Sequence, residues 1–336
     1  MLKTYIIAEM SANHAGSLTN ALELVNAAKE SGADCIKIQT YTPDTMTLNS
    51  RKGPFMLESG TWSGYNLYDL YGEAYTPWDW QPRIKEEAEK NGLDFLSTPF
   101  DFSAVDFLEE MNVMAYKIAS FELVDIPLIR YTAQKGKPMI VSTGMGTIDE
   151  IQEAVDTVFA AENRQLTLLK CVSAYPAEPG DMNLLTIPDI SQRFGVSAGL
   201  SDHSLGSLAA IAAVTLGATM IEKHFCLSRD IDNPDASFSM EPAEFASMVK
   251  DIRIVEQALG SPCYTISENE KPNAGLRRSI FVSADIKSGE SFSTDNIRVV
   301  RPGDGLHPRE YHGLLGRVAD CDIPFATPLS WDMIKK

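Results

Sequence analysis

Over the first 260 residues a short apolar run, a polar stop and a stretch with apolar residues three and four apart recur in that order. The short runs read as buried strands and the longer stretches as amphipathic helices. Residues 4–10 form the first strand, which carries Glu9 at its end; Leu18–Ser31 form the first helix, with Leu22, Val25 and Ala28 on one side. Cys35–Thr40 is the second strand. From Tyr41 to Trp80 the pattern lapses into a stretch rich in Tyr, Trp, Gly and Pro, and a loop of that length is usually functional or a lid. The alternation then resumes. Strands at Asp94–Thr98, Ala115–Ser120, Pro138–Ser142, Leu166–Cys171, Val196–Leu200 and Thr219–Phe225 are interleaved with helices at Pro82–Asn91, Ser103–Met111, Ile126–Lys135, Thr147–Ala161, Leu184–Phe194 and Leu208–Leu216. A last helix covers Pro242–Leu259.

Eight strands alternating with helices over about 260 residues predict an α/β fold, a (β/α)8 TIM barrel. A doubly wound sheet would need a glycine-rich dinucleotide turn after the first strand, and the SANHAGS segment of residues 11–17 does not supply one. The barrel is expected over 1–260, a linker with Pro262, Pro272, Asn273 and Gly275 over 261–279, and a small β-rich module over 280–336. A module of about 57 residues is marginal alone, so it is expected to pack on the barrel or on a neighbouring subunit.

Polar residues gather at the predicted carboxyl ends of the strands: Glu9, Lys37, Thr98, Lys117, Ser120, Ser142, Ser173, His203, Glu222 and His224. Burying such groups without partners is costly, so ten of them at one end of a barrel argue for a site. His203 and His224 leave consecutive strands joined by an alanine-rich helical crossover, which returns the chain to the same edge of the sheet. Two imidazoles side by side suit a divalent metal with open positions; the competing reading is two core histidines with local hydrogen bonds. Lys37 and Lys117 lie in strands that are apolar on both sides, from which a lysine cannot reach out to water.

Composition narrows the partners. With 29 basic and 46 acidic residues the net charge is −17, which disfavours nucleic acid and anionic membrane surfaces. An anionic substrate would need local positive groups, for which Lys37, Lys117, Lys223 and a metal are candidates. The five cysteines are scattered without a CxxC pair, which predicts a reducing compartment and no disulfide framework. Glu9 and Asn13 interrupt the only apolar start, and no apolar run approaches the ~18 residues of a membrane span. A cytoplasmic protein is expected.

The ordered motifs EMSANHAGS, IKIQTYTPDTMTL, NLYDLYGEAYTPWDW, STPFD, YKIASFE, STGM, KCVSAYPA, GLSDHS, IEKHF, PDASFSMEP, RRSIF and RPGDGLHP run nearly end to end. Together they resemble the sialic acid synthase family, which condenses phosphoenolpyruvate with an N-acetylated amino sugar. The resemblance implies a barrel joined to a carboxyl-terminal antifreeze-like domain, and a homodimer in which that domain caps the partner's barrel by domain swapping. The SANH, QTYTPDT and NLYDLY stretches favour 2,4-diacetamido-2,4,6-trideoxy-altrose as the sugar, with pseudaminic acid and phosphate as products; sialic or legionaminic acid synthesis is the alternative. By resemblance His203 and His224 bind Mn2+ or Mg2+, and Lys37, Thr98, Lys117, Ser120 and Ser142 contact phosphoenolpyruvate, with Ser173 and Ser201 nearby. Asp235 is implied to meet sugar hydroxyls, and Arg301 to reach the N-acetyl group from the partner chain. Phe100 and Tyr175 are candidates to pack on the sugar. Glu9 and Glu122 are the acid/base candidates, with Glu222 a third; beside a metal and lysines they are expected to stay ionised. A non-catalytic sugar- or metal-binding protein, or a metal aldolase that releases no phosphate, are the readings from other classes.

Overall fold

The structure, a computed structural model, describes residues 3–336. Eight parallel strands close into a barrel: β1 (Tyr5–Glu9), β2 (Cys35–Thr40), β3 (Asp94–Pro99), β4 (Tyr116–Ile118), β5 (Met139–Ser142), β6 (Leu166–Cys171), β7 (Ser197–Asp202) and β8 (Met220–His224). β1 pairs with β2 on one side and with β8 on the other, which completes the ring. The helices between them are α1 (Leu18–Glu30), α2 (Pro43–Met46), α3 (Leu67–Ala74), α4 (Gln81–Lys90), α5 (Phe102–Glu110), α6 (Ile126–Ala133), α7 (Ile148–Ala160), α8 (Thr186–Phe194) and α9 (Leu208–Thr215), and α10 (Pro242–Leu259) follows β8. Side chains of Ser17, Asp101, Asp125 and Thr147 cap the starts of α1, α5, α6 and α7, each worth about 1 kcal/mol. These caps fix where each loop above the barrel ends and its helix begins.

The side-chain period of two sorts each strand into an outer and an inner row. Outward residues such as Ile6, Ile36, Phe95, Ile118, Val141, Leu168 and Ile221 pack under the helices. Inward, Ile7, Cys35, Leu96, Ala115, Ile140 and Leu169 form an apolar layer that fills the lower barrel. Gly199 belongs to the same interior. A Cβ there would lie 2.3 Å from the Met220 carbonyl oxygen, so β7 and β8 approach only because the side chain is missing. The next inward positions, one pleat nearer the carboxyl ends, are Glu9, Lys37, Thr98, Lys117, Ser142, Cys171, Ser201 and Glu222. The site is therefore a continuation of the barrel's own packing in polar residues.

The stretch from Tyr41 to Trp80 differs from the expectation of a long loop. It carries α2, a hairpin closed by the Met56–Asn66 bridge, and α3. Gly53, Pro54, Gly60 and Gly64 dominate its composition and conceal the short helical repeat, whose start is set by the Asn66 side chain accepting from the Tyr68 N–H. Two strand ends also differ. β4 stops at Ile118 because Ser120–Glu122 turn into a 3-10 helix, and β7 runs on to Asp202 because its pairing with β8 continues that far.

The chain divides into two compact units, residues 1–260 and 261–336. Residues 261–279, read from sequence as a linker, group with the second unit and contain the short helix α11 (Lys271–Ala274). That unit has its own core, in which Ile280, Val282, Phe292, Ile297, Leu314 and Leu329 are buried, around the antiparallel pair β9 (Ser279–Val282) and β10 (Ile297–Val300). No helix among the described residues is long and apolar enough to cross a membrane.

Candidate active site

Register brings the charged groups together before any side chain is considered. Glu9 is level with Lys37 across β1–β2 and with His224 across β1–β8. Ser201 is level with Glu222 across β7–β8, and with Cys171 across β6–β7. Lys37 Nζ lies 2.8 Å from Glu9 Oε2 and 3.4 Å from Glu222 Oε1, and it donates to Thr98 Oγ1 at 3.2 Å. The Lys37–Glu9 contact is bent: it is an ion pair without a directed hydrogen bond, and Glu9 Oε2 has no other donor. Lys117 Nζ is 3.8 Å from Glu222 Oε1, and donates to Ser142 Oγ at 2.7 Å and to the Ile118 carbonyl at 3.2 Å. All four ionisable side chains are buried.

Ser120, Ser142 and Ser173 converge beside this cluster. Ser120 Oγ accepts the Gly144 N–H at 3.0 Å, and a Cβ on Gly144 would come within 2.2 Å of Ser173 Oγ and 2.7 Å of Ser120 Oγ. Only glycine lets the chain after β5 pass so close. Three hydroxyls and two lysines in so small a volume suit an oxyanion.

The electrostatics follow from two carboxylates sharing lysines inside a barrel. Burial disfavours charge on Glu222, but Lys117 and Lys37 outweigh it and hold Glu222 below the ordinary carboxylate value. Glu9 has Lys37 on one side and the Glu222 charge on the other, so burial prevails and pushes it up. Burial also lowers Lys117, whereas for Lys37 the two carboxylates overcome burial and raise it. Glu122 is pushed up to about 7, chiefly by burial. Beside the lysines Glu222 is held toward its ionised form, whereas at Glu9 and Glu122 loss of water outweighs the lysines and shifts both toward the protonated form.

His203 and His224 stand with ring centroids 5.3 Å apart. His203 Nδ1 donates to the Val172 carbonyl at 2.9 Å, with Cys171 Sγ 3.7 Å away, which leaves Nε2 as the free nitrogen. Burial opposes charge on His203, but Cys171 and the Val172 carbonyl favour it, and the balance lies above the ordinary value. His224 is held well below that value by burial and by the neighbouring His203, and its Nδ1 is buried without a partner. A neutral imidazole with an unused lone pair is what a divalent cation takes, and a cation on His203 would displace the proton that now favours it. The residues present therefore fit a metal. No group of three His, Cys, Asp or Glu arranged for metal binding occurs among the described residues, so its further positions would be filled by water or substrate.

These groups line one cavity of about 50 Å3, with Glu9, Lys37, Thr98, Lys117, Ser120, Ser142, Tyr175, Ser201, His203, Glu222 and His224 in its wall. The other expected residues lie elsewhere. Ser173 is next to Gly144. Asp235 is buried behind His224, its Oδ2 3.9 Å from His224 Nδ1 and accepting the Ala12 N–H at 3.2 Å. Phe100 packs edge-on against Tyr41. Glu122 stands on the 3-10 turn after β4, outside the lining. Arg301 belongs to the second unit and is exposed. Lys223, a candidate for meeting an anion, points outward from the barrel: its Nζ is 2.8 Å from Asp202 Oδ2 and 2.6 Å from the Ser204 carbonyl. Four lining residues were not anticipated: Gln39, Ala119, Phe121 and Cys171. Gln39 donates to Glu9 Oε1 at 2.9 Å and to Ser11 Oγ at 3.0 Å, and it follows Lys37 by two positions on the same face. Cys171 likewise follows the inward Leu169 by two.

The sequence profile of the NeuB family matches residues 24–264, and that of the SAF domain residues 277–335. The chain belongs to the NeuB family. Pseudaminic acid synthase of Campylobacter jejuni (strain 81-176) is 47% identical to this NeuB chain over 97% of it and 95% of its own length. N,N'-diacetyllegionaminic acid synthase of Legionella pneumophila (strain Philadelphia 1) is 36% identical over 98% of the chain and 94% of its own length. Among solved structures, the spore coat polysaccharide biosynthesis protein of Bacillus subtilis superposes with a TM-score of 0.67 at 35% identity, covering 99% of this chain and 96% of that one. The NeuB profile begins after β1, so Glu9 lies outside the matched span.

Two outcomes follow from the buried charges. Lys223→Met leaves Asp202 buried without its partner and should cost about 3–5 kcal/mol in urea unfolding, while Asp202→Leu/Lys223→Met should recover at least half of that loss; a single variant as stable as wild type would contradict the pairing. Glu122 is raised in the folded state from the ordinary 4.5 to about 7. Its proton-linked stability is therefore complete below about pH 4.5 and lost as pH rises through about 7. Unfolding at pH 4.5 to 8 should show wild type losing up to about 3 kcal/mol relative to Glu122→Gln, and parallel profiles for the two would sink the assignment.

Proposed function

We propose that the chain is a pseudaminic acid synthase, condensing phosphoenolpyruvate with 2,4-diacetamido-2,4,6-trideoxy-altrose and water to give pseudaminic acid and phosphate. The observation that carries the reading is the pair of buried lysines, Lys37 and Lys117, facing inward at the carboxyl ends of β2 and β4, on either side of Thr98 on β3, beside three serine hydroxyls. In a chain of net charge −17, that is where a small, densely anionic substrate is attracted. The near end-to-end likeness to a pseudaminic acid synthase, stronger than that to a legionaminic acid synthase, supports the choice of sugar.

Lys117, Ser120, Ser142 and Ser173 suit the phosphate of phosphoenolpyruvate, and Lys37 with Thr98 its carboxylate. A divalent ion, Mn2+ or Mg2+, on His203 and His224 would supply Lewis-acid polarisation of the sugar's open-chain aldehyde. The barrel's part is positioning: it holds C3 of phosphoenolpyruvate against the aldehyde carbon. The new C–C bond leaves C2 electron-poor, a water adds there, and the C2–O bond to phosphate breaks. Glu222, ionised between two lysines, balances their charge. Glu9, raised and facing the cavity, with only the Lys37 ion pair on its Oε2, suits a proton transfer to or from the sugar oxygen or the incoming water. Asp235, behind His224, puts a carboxylate 3.9 Å from that ring and adds negative charge beside it.

The cap over this site is proposed to be the second unit of a partner chain in a domain-swapped homodimer, with Arg301 reaching the sugar's N-acetyl group. The exposed apolar side chains of Phe121, Val124, Met145, Ile148 and Leu205, in the loops after β4, β5 and β7, support a covered rim. A cytoplasmic location is in keeping with five free cysteines.

Phosphate release from phosphoenolpyruvate with Mn2+ tests the reading, with the altrose sugar, its gluco-type isomer and N-acetylmannosamine offered in parallel. Release with the altrose sugar alone, abolished by EDTA, is the expected outcome. Release mainly with another sugar would retain the chemistry and overturn the specificity, and no release with any sugar would overturn the synthase assignment.

A further inference from the structure

The excursion between β2 and β3 sends a hairpin across the site. Met56 and Asn66 pair at its base, Leu57 donates to the Tyr65 carbonyl at 2.9 Å, and Gly64 donates to the Leu57 carbonyl at 2.7 Å. The buried Asn66 side chain ties the base down by donating to the Ser50 and Phe55 carbonyls at 2.6 and 3.1 Å. The tip turns at Gly60 and Gly64, both at positive φ. It is attached to the rest of the barrel at two points. The Thr61 hydroxyl donates to the Tyr175 carbonyl, and the Trp62 indole N–H donates to the Pro234 carbonyl at 2.9 Å. The tip thus bridges the loop after β6 to the loop after β8.

The Trp62 ring lies 5.3 Å from Tyr175 and 6.4 Å from Phe238. Tyr175 is in turn 4.3 Å from His203, and Phe238 is 5.0 Å from His224. The three rings therefore form an apolar wall that runs outward from the histidine pair, with Trp62 at its far end. The cavity below measures about 50 Å3, room for a few waters at the ~10–15 Å3 that each requires, whereas pockets for organic ligands run to roughly 300–1,000 Å3. Substrate entry needs a part of this roof to move. The hairpin tip, held to the barrel by two hydrogen bonds and two ring contacts above a firmly tied base, is a part that can open without disturbing the barrel.

Resting on the assignment of an amino-sugar substrate whose aldehyde sits at His203 and His224, we propose that Trp62 is a sugar-specificity residue carried on a strap. The strap opens to admit substrate and closes its indole, with Tyr175 and Phe238, on the far end of the sugar. With the aldehyde at the histidines, the C4–C6 end of the carbon chain points along the aromatic wall. At the far end of that wall the Trp62 and Phe238 ring faces favour a C6 methyl over a C6 hydroxyl, because they offer that hydroxyl no hydrogen-bond partner, the indole N–H being already taken by the Pro234 carbonyl.

The test uses the full-length, Mn2+-loaded protein and two sugars, 2,4-diacetamido-2,4,6-trideoxy-altrose and the same sugar with a hydroxyl at C6. Trp62→Ala should raise KM for the trideoxy sugar by about tenfold or more, leave KM for phosphoenolpyruvate within about twofold, and lower the preference for the trideoxy sugar by about tenfold. Trp62→Phe, which keeps an apolar ring, should restore most of the preference. Saturating sugar should also change the tryptophan emission of wild type and not that of Trp62→Phe. Unchanged sugar KM and preference in Trp62→Ala, with an unchanged circular dichroism spectrum, would overturn the inference while leaving the synthase assignment standing. A wild type that turns over neither sugar would overturn both.

Discussion

Lys37, shared between Glu9 and Glu222 inside a closed barrel, is the constraint on which the rest of the site depends. Taking ions out of water costs several kcal/mol apiece, and the cost is recovered only where opposite charges and hydrogen bonds are arranged around them. The barrel's register supplies that arrangement: neighbouring strands place Glu9, Lys37 and His224 level with one another. One carboxylate more than Lys37 can neutralise leaves Glu222 to draw on Lys117 and leaves Glu9 short of compensation. From one packing constraint come a carboxylate held below the ordinary value, a carboxyl pushed above it, and two lysines within reach of a common ligand.

The outer face of the same strands repeats the device in a closed form. Asp202 and Lys223, each one residue from a histidine, point the other way and satisfy each other together with Ser204. Inward charges are left with free oxygens, and outward charges are fully paired. The difference separates groups that face the cavity from groups that hold the histidine-bearing strand ends in place. A polar site with unsatisfied acceptors sits on a rigid, fully satisfied shell, which is how a barrel can be stable and reactive at one end.

Much of this was legible in the sequence, and the reasons are specific. The strands were found because a parallel barrel buries both faces, giving short continuous apolar runs; a lysine or glutamate within such a run stands out as Lys37 and Lys117 do. The histidine pair was found because the helix between them is too apolar to be anything except a crossover. The 41–80 segment was not resolved into its hairpin and helix, because glycine, proline and aromatic residues mask a helix of two turns. Gln39 and Cys171 were missed although the period of two points both inward, since neither carries a formal charge to draw notice. Lys223 was assigned to the wrong side of the sheet for want of the same count: it follows the inward Glu222 by one residue. The upward displacement of Glu9 and Glu122 depends on the depth of burial, which no linear pattern reports.

The central claim is that the buried lysines form the anion site of the synthase. Calorimetric titration of phosphoenolpyruvate into the full-length, Mn2+-loaded protein tests it most directly, comparing wild type with Lys117→Met after both are shown to be folded. Loss of a charge-assisted contact worth about 1.5–3 kcal/mol should weaken binding by at least tenfold. Equal affinity in the two proteins, or a folded wild type that does not bind phosphoenolpyruvate, would contradict the account.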